Sequence, residues 1–446
     1  MFIMKAMNRI LFIVCYLWVC YSCRGKMPDT EFILHLPADY SFDISLELAD
    51  TIVGMDVDDE KKAIALLPLE KSGYGRLWVG DRRFPVWLEA GKPLRATLEL
   101  NVLHFDGPGA KTNDYLNRKF YHTPCFRDYG MDDVAFREKL EKMVRERVAA
   151  LDTAGLDAAF VALEKKRIAH DRTYELAANI VYGGTSDKTI SGETFMELQG
   201  GLTEEESSWG IPEYPESFQK VACALARMDE TSVSPYTMLL NVLKIATGEC
   251  HDPRVIEYIV ARSSLEFVRS HGMEGTEEMD RVFRDRVKRQ DYLEEYQHYR
   301  DENNRLAKGQ PAVPFTFQDV DGKEVSLSDL KGKYVYIDVW ATWCGPCKIE
   351  IPYLKKLEEK LHGRNIYFVS ISCDEGKAGW LKFVKDEKLG GIQLNTGGDQ
   401  SFMQAILCHG IPRFLLIDKD GNYINANMSR PSEPETLKIL ESLPGL

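Results

Sequence analysis

Residues 334–352, YVYIDVWATWCGPCKIEIP, limit the possible folds of this chain more than any other stretch. Six of the first seven side chains are apolar or aromatic, which indicates a strand that is buried on both faces. Two cysteines, Cys344 and Cys347, follow after a short link, and a helix is predicted from Cys344 to Leu361. Strands and helices continue to alternate to the end, so residues 309–446 are predicted to form an α/β domain with strands of mixed direction.

The spacing of the two cysteines indicates redox chemistry. Cys344 falls in the first turn of the predicted helix, where unpaired backbone N–H groups and the helix dipole favour a thiolate and lower the pKa of its thiol. Cys347 lies one turn further along on the same face, so the two sulfurs can form a disulfide. Pro346 suits this early helical position because no backbone hydrogen bond is lost there. The pair is predicted to be a catalytic dithiol, in which Cys344 attacks and Cys347 resolves.

A zinc site and a purely structural disulfide are the alternatives to a redox role for this pair. A zinc ribbon needs a second cysteine pair or added histidine ligands, and the chain beyond Cys23 has no second Cys-x-x-Cys. A structural disulfide seldom closes a two-residue loop directly after an apolar strand. We therefore predict redox catalysis without a metal ion or a cofactor.

A single acidic residue interrupts the predicted buried strand. Asp338 lies six positions before Cys344, between Ile337 and Val339. Burial would raise the pKa of its carboxyl group and make it a candidate acceptor for the proton of Cys347. A strand aspartate that faces solvent is the alternative.

The first 22 residues are predicted to be an export signal. Two cations precede the apolar run ILFIVCYLWVCY, which is too short for a membrane-spanning helix and fits the core of a signal peptide. The junction after the run resembles a bacterial lipoprotein signal, with Cys23 as the lipid-modified residue and Cys20 as a weaker candidate. An ordinary signal peptide and an uncleaved anchor are the alternatives. The chain is thus predicted to lie in the periplasm or cell envelope.

The charge of the chain excludes one class of partner. The formal net charge is −13, and residues 309–446 contribute little of it, with 16 Lys and Arg against 18 Asp and Glu. The acidic remainder argues against nucleic-acid binding and against electrostatic attachment to anionic lipid. Attachment to the lipid bilayer is therefore expected to come from the lipid on Cys23.

Composition divides the chain after the signal into three zones. Residues 23–108 contain short alternating apolar runs between turn residues, which predicts an antiparallel β-sandwich or a small barrel. Residues 109–305 change to a helical period, which predicts an α-helical domain. The polar run RDENNRLAKGQ then predicts a hinge before the α/β domain at 309–446.

The motifs YIDVWATWCGPC and GIPRFLLID resemble the thioredoxin superfamily, specifically its TlpA/ResA-like extracytoplasmic branch. The lead-in at 309–335 and CKIEIP after the motif are similar to the same branch. This resemblance covers residues 309–446. VWLEAGKPL and FDGPGAKTNDYL, in the front half, resemble more loosely the Bacteroidetes lipoproteins that carry such tails. Position 338 departs from the branch, which often has Asn there.

The resemblance implies roles for the residues around the dithiol. Pro412 would be a cis-proline whose loop lets the Ile411 backbone pair with an incoming client strand; a trans turn proline is the alternative. Trp343 would pack beside the reactive sulfur. Glu350 would either tune the cysteine pair or be a surface acid of the helix. The residues implied in substrate binding are Trp343, Gly345, Pro346, Glu350, Ile411 and Pro412.

Five further cysteines lie outside the motif and beyond the signal. Cys373 and Cys408 fall near strand ends on the active-site side of the α/β domain, where they would form a second disulfide or remain two independent buried thiols. Cys125, Cys223 and Cys250 lie in helical stretches and are predicted to be inert packing residues.

These features together predict an exported, membrane-tethered thiol-disulfide oxidoreductase. The Gly-Pro between the cysteines resembles reducing thioredoxins, so a disulfide reductase that acts on periplasmic client proteins is favoured. Its electrons would come from a membrane thiol carrier. An isomerase or an oxidant with the same site is one alternative. The other is a binding lipoprotein in which the front half acts and the dithiol is vestigial.

Overall fold

The computed structural model describes residues 29–446 except 41, 49–50, 81, 119–127, 184–189 and 274. The predicted signal peptide, the predicted lipidation site Cys23 and Cys125 lie outside the described residues. The chain divides into two compact units, the first ending at Ile259 and the second spanning Val260–Leu446. The predicted domain boundaries are finer than this division and stay predictions. Within the described ranges, no helix is both long and apolar enough to cross a membrane.

The first unit begins with two four-stranded sheets, in the strand orders β4-β1-β7-β8 and β3-β2-β5-β6. Alternation places the core side chains: in β4, Ala63, Ala65 and Leu67 are buried, whereas Ile64 and Leu66 are exposed. Inward residues of both sheets form one hydrophobic cluster. The strands are β1 (Thr30–His35), β2 (Ile44–Leu48), β3 (Thr51–Met55), β4 (Lys62–Leu67), β5 (Gly73–Val79), β6 (Arg82–Leu88), β7 (Leu94–Glu99) and β8 (Val102–Asp106).

One strand pair departs from the predicted antiparallel arrangement. β1 and β7 are parallel, with Phe32 opposite Leu94, while the other pairs within the two sheets are antiparallel. The difference has a physical reason. Turn residues determine the pairing of neighbouring strands, but strands about 60 residues apart are paired by the burial of their apolar faces, which no local pattern reports.

Helices make up the rest of the first unit, and side-chain caps begin several of them. Asp132, Asp157, Ser191 and Ser234 each accept backbone N–H groups from the first turn that follows. The helices are α1 (Ala110–Leu116), α2 (Asp133–Thr153), α3 (Ala158–Tyr182), α4 (Gly192–Gly200), α5 (Glu213–Met228) and α6 (Pro235–Glu249), and α7 (Pro253–His271) crosses the boundary between the units.

The second unit contains a helical segment before its sheet. The last part of the segment predicted to be helical, 109–305, forms two helices, α8 (Glu277–Arg286) and α9 (Gln290–Asn304). Val287 between them is extended, with φ −93° and ψ 126°, and its side chain is buried. An apolar residue that leaves the helical conformation in order to reach the core cannot be told from helical periodicity alone.

A seven-stranded sheet of mixed direction forms the centre of the second unit, in the order β10-β9-β13-β12-β11-β14-β15. The strands are β9 (Thr316–Asp319), β10 (Glu324–Ser326), β11 (Tyr334–Trp340), β12 (Ile366–Ser372), β13 (Ile392–Asn395), β14 (Arg413–Ile417) and β15 (Tyr423–Asn425). Every residue of β11 is buried, which confirms the predicted buried strand. β11 pairs in parallel with β12 and antiparallel with β14.

Helices pack against both faces of this sheet. Tyr336 and Phe368 lie in one hydrophobic cluster with residues of α10 (Gly345–Lys360) and α13 (Pro434–Glu441). Ile337 and Ile371 lie in another, with residues of α11 (Lys377–Asp386) and α12 (Ser401–Ala405). β11 therefore carries α10 directly after its carboxyl end, which is where the two cysteines lie.

Candidate active site

The loop between β11 and α10 is held by a buried carboxylate. Asp374, just after β12, accepts from the Thr342 backbone N–H at 2.9 Å and from the Thr342 hydroxyl at 2.8 Å. Ser372 Oγ donates to Asp374 at 2.7 Å, and Asn395 Nδ2 donates to its carbonyl at 3.0 Å. The chain two residues before Cys344 is thus fixed by hydrogen bonds to the neighbouring strand ends.

Cys344 occupies the N-cap position of α10. Its φ of −79° and ψ of 104° are extended, and the backbone N–H of Cys347 donates to its Sγ at 3.1 Å. The two cysteines form a disulfide, with Cα atoms 5.3 Å apart, and each is less than 5% exposed. Donation by the helix N-terminus would stabilise a thiolate at Cys344 when the disulfide is reduced.

A second loop brings a backbone carbonyl to the Cys344 sulfur. The Ile411–Pro412 peptide bond is cis, so the trans alternative is wrong. Cys344 Sγ lies 3.7 Å from the carbonyl oxygen of Ile411. Pro412 leads directly into β14, which pairs with β11, so the sheet holds the two loops together.

Asp338 lies in β11, and only 7% of its surface is exposed. Ser370 Oγ of β12 donates to Asp338 Oδ1 at 2.5 Å. Burial raises the pKa of the Asp338 carboxyl to about 7, although the hydrogen bond from Ser370 opposes that rise. The solvent-facing alternative for this residue is therefore wrong, and its carboxyl can exchange a proton near neutral pH.

Glu350 is buried rather than a surface acid of the helix. Ser432 donates to its carboxylate twice, from the backbone N–H at 3.0 Å and from Oγ at 2.9 Å. A nitrogen of Arg430 lies 3.9 Å away. Glu350 therefore ties the first two turns of α10 to the segment that follows β15.

The remaining motif residues differ in exposure. Trp340 is buried in the core, whereas Trp343 is 70% exposed and presents its indole to solvent. Gly345 and Pro346 begin α10, and a Cβ added at Gly345 would meet no neighbour within 4 Å. Ile349, also exposed, extends this surface along α10.

A family profile and the ResA relatives confirm the resemblance. The Redoxin family profile matches residues 307–442. Thiol-disulfide oxidoreductase ResA of Bacillus cereus is 32% identical over 149 residues, 33% of this chain and 85% of that protein. The chain belongs to the TlpA/ResA-like branch of the thioredoxin superfamily. ResA of Bacillus thuringiensis matches to the same extent. A Bacteroides vulgatus solution structure, described as a thiol-disulfide oxidoreductase, is 55% identical over 31% of this chain and 95% of its own, with a TM-score of 0.28.

This TlpA/ResA-like protein is a thiol-disulfide oxidoreductase. Its other described cysteines do not extend the dithiol. Cys373 and Cys408 are free thiols, whose Sγ atoms contact the carbonyls of Trp340 and Gly410 respectively. Burial raises the pKa of both thiols, to about 11 for Cys373. Cys250 is also a free thiol. No group of metal-ligating side chains occurs among the described residues.

Sequence reasoning missed two polar groups beside the TlpA/ResA-like motif. Asp374 orders the loop before Cys344, and its position directly after the second buried strand was the available signal. Ser370 donates to Asp338, and its place on β12 opposite Asp338 becomes visible only from the strand register. Both act through hydrogen bonds between strands that lie more than 30 residues apart in sequence.

Proposed function

We propose that this oxidoreductase is a disulfide reductase that works through a mixed disulfide on Cys344. The observation that carries the proposal is the position of Cys344, capped by the Cys347 N–H at 3.1 Å and lying 3.7 Å from the Ile411 carbonyl. The first contact supports a thiolate nucleophile. In the second contact the Ile411 backbone lies beside the Cys344 sulfur, where an extended client segment would pair with that backbone.

The proposed cycle begins with the reduced dithiol. The Cys344 thiolate attacks one sulfur of a client disulfide, which forms a Cys344–client disulfide and releases the other client sulfur as a thiolate. Cys347 then loses its proton to the Asp338 carboxylate and attacks Cys344 Sγ. The Cys344–Cys347 disulfide forms, and the client leaves with two thiols after taking protons from solvent. Two electrons pass from the protein to the client.

Clients are proposed to be exported proteins that contain disulfides. Trp343, Gly345 and Pro346 would contact the client around its disulfide, since the indole is exposed and no side chain crowds Gly345. Glu350 would help indirectly, because its bonds to Ser432 hold the start of α10 in place. The proposed location is the periplasm or cell envelope, with the lipid on Cys23 as tether and a membrane thiol carrier as electron donor.

Trapping the mixed disulfide tests the mechanism and identifies the client. In Cys347→Ser, Cys344 can still attack but cannot be released, so we expect clients to stay linked to the full chain and to separate when dithiothreitol is added. The matched control is the Cys344→Ser, Cys347→Ser double variant, which should trap nothing. Equal recovery with both variants would contradict a nucleophilic Cys344.

The reduction potential tests the direction of electron flow. A value near that of thioredoxin, about −270 mV, would support a reductase, whereas a value near about −120 mV would indicate an oxidant. Equilibration of the full chain with glutathione buffers gives this potential. Insulin reduction by the wild-type chain separates either enzyme from the binding lipoprotein, which would fold but show no turnover.

A further inference from the structure

A small cavity lined by both polar and apolar side chains lies beneath α10, next to Asp338. It offers about 10 Å³ to the centre of a water molecule, which is close to the minimum for holding one. Its lining comes from β11, α10, β12, β13 and the segment before β13. The residues that matter here are Asp338, Trp340, Glu358, Ser370, Gly390 and Gln393.

Two buried polar atoms on this lining have no hydrogen-bond partner in the part of the chain that the structure describes. They are Trp340 Nε1, a donor, and Gln393 Oε1, an acceptor. Both residues are less than 7% exposed, so bulk solvent does not satisfy these atoms. Leaving such groups unpaired is costly, and a water molecule in the cavity would bond with both of them as well as with the carboxyl groups.

The Glu358 carboxylate fits beside this cavity because Gly390 has no side chain. A Cβ at Gly390 would lie 2.5 Å from Glu358 Oε2, and the three atoms nearest to it all belong to that carboxyl group. Gly390 has no positive φ, so its backbone conformation does not require glycine. The space that a side chain would fill is taken by the Glu358 carboxylate.

The helix aligns Glu358 with the resolving cysteine. Cys347, Ile351, Leu354 and Glu358 follow the spacing i, i+4, i+7, i+11, which places them on one face of α10. Ile351 and Leu354 line the cavity together with Asp338. Asp338 therefore lies beneath the stretch of helix between Cys347 and Glu358. Glu358 is only partly buried, so it can exchange protons with solvent.

We propose that Glu358 is a positioning residue in a proton relay. Asp338 takes the proton of Cys347, and Glu358 carries that proton on to solvent through a water molecule in the shared cavity. This inference rests on the proposed reductase function. As Cys347 attacks Cys344, its thiol proton moves to the Asp338 carboxylate. The proton then passes through the water to Glu358 and leaves to bulk solvent, so Asp338 is again ionised for the next cycle. No oxidant or reductant beyond the client disulfide is needed.

Few other charged groups face this pair of carboxyls. Among the described residues, Lys355 of α10 is the cation on the cavity lining, and its Nζ donates to the Glu387 carbonyl. β12 and β13 contribute the neutral Ser370 and Gln393. Tyr336, on the same strand as Asp338, donates its hydroxyl to the Ser429 carbonyl. Burial raises the pKa of both carboxyls to about 7, and the charge of Glu358 adds to the rise at Asp338.

The test follows the resolving step alone. The reduced full chain, in excess, is mixed with 5,5′-dithiobis(2-nitrobenzoate) between about pH 5.5 and 8.5, a range that spans the raised carboxyl pKa values. The first thionitrobenzoate release reports attack by Cys344, and the second reports attack by Cys347. In Glu358→Gln we expect the midpoint of the second release to fall by about one pH unit and its plateau rate to fall about threefold to tenfold.

The matched control is Glu359→Gln, which removes the same charge from the exposed neighbouring position and should leave both phases as in wild type. A second variant, Gly390→Ala, keeps the charge but displaces the Glu358 carboxylate from the cavity, and should lower the midpoint in the same direction. If Glu358→Gln does not fold, Gly390→Ala tests the relay in its place. A wild-type midpoint in the folded variants would overturn the relay. Absence of the first release in the wild-type chain would instead overturn the proposed reductase.

Discussion

Two buried acids, Glu164 in the first unit and Asp338 in the second, have different hydrogen-bond partners. In the first unit, Arg167 donates to both oxygens of Glu164 at 2.7 Å and to Glu213 at 2.9 Å. Tyr74 of β5 adds a hydrogen bond to Glu164 at 2.6 Å. In the second unit, Ser370 is the hydrogen-bond donor to Asp338, and no cation in the described residues forms an ion pair with that acid.

The pKa values of these buried acids follow from the difference in their partners. Burial acts to raise the pKa of Glu213, but Arg167 and Arg76 outweigh it and hold the pKa below its ordinary value. Asp338 has no such cation, so burial raises its pKa to about 7. Glu175 is an exception within the first unit, with a pKa raised by burial to about 7. The arginines thus favour the charged form of Glu213, whereas Asp338, without such a cation, can exchange a proton near neutral pH.

Removal of the cation from the first-unit network should give the largest loss of stability. Arg167→Met would leave the buried Glu164 without its counter-ion and Glu213 with Arg76 alone, at an expected cost of about 3–5 kcal/mol. Hydrogen exchange of α3 and α5 peptides measures the loss within that unit. Exchange in β11 should change much less, since β11 belongs to the other compact unit.

The control for this variant is Lys165→Met. Lys165 forms a 2.7 Å ion pair with Asp152, and both side chains are nearly half exposed. Its loss should cost at most about 1 kcal/mol, because exposed pairs contribute little. Similar costs for Arg167→Met and Lys165→Met would contradict the structural role assigned to the buried network.

Substitution of Asp338, the buried acid of the second unit that lacks an ion pair in the described residues, should raise stability rather than lower it. Between the ordinary Asp value of 3.8 and about 7, folded Asp338 binds more protons than the unfolded chain. Its contribution to stability is therefore present at low pH and is lost as the pH rises through 7. Asp338→Asn, which cannot ionise, should stabilise β11 by about 2–4 kcal/mol at pH 8 and have little effect at pH 4, given about 1.4 kcal/mol per pKa unit.

Hydrogen exchange of β11 in the oxidised full chain, corrected for intrinsic pH dependence, measures this effect. The same variant should slow the second thionitrobenzoate release, because the acceptor for the Cys347 proton is gone. Asp386→Asn is the control, since Asp386 is exposed and its pair with Lys382 is a surface pair. A destabilised Asp338→Asn at pH 8 would show that the carboxylate is better solvated than its burial indicates.

The sequence predicts the candidate active site better than the rest of the molecule. β11, Cys344, Cys347 and the cis peptide before Pro412 follow from a local motif and a family resemblance, since their geometry depends on neighbouring residues. Asp338 could be predicted as buried because apolar residues flank it. The parallel pairing of β1 with β7 could not, because it depends on contacts between distant strands.

The groups around the centre show the same limit. Glu358 reads as one of several acids on an amphipathic helix, and its importance depends on Gly390, 32 positions later, having no side chain. The Arg167 network joins strand β5 with helices α3 and α5. Charge patterns within one helix do not report such long-range pairs. Local signals thus locate the reacting atoms, while tertiary contacts determine what surrounds them.

Substitution of Asp374 should have the smallest of the expected effects on stability. Asp374 adds a third case to the comparison of buried acids, because hydrogen bonds rather than a cation satisfy its carboxylate. Asp374→Ala removes the acceptor for both groups of Thr342 and for Ser372, at an expected cost of about 1–3 kcal/mol. Hydrogen exchange should rise at residues 341–344, and the first thionitrobenzoate release should slow as Cys344 loses its fixed position.

Asp374→Asn provides the graded control, since its amide keeps one acceptor oxygen and replaces the other with a donor. Exchange at Thr342 should then lie between wild type and Asp374→Ala. If hydrogen bonds alone hold this loop, hydrogen exchange should differ between Asp374→Asn and Asp374→Ala at every pH at which the protein is folded. The difference depends on the acceptors that each variant lacks and not on the charge of a neighbouring cation. If the asparagine variant matched wild type, one oxygen would suffice. That remaining acceptor and the backbone bond from Cys344 N to Ala341 O at 3.1 Å would then hold the loop.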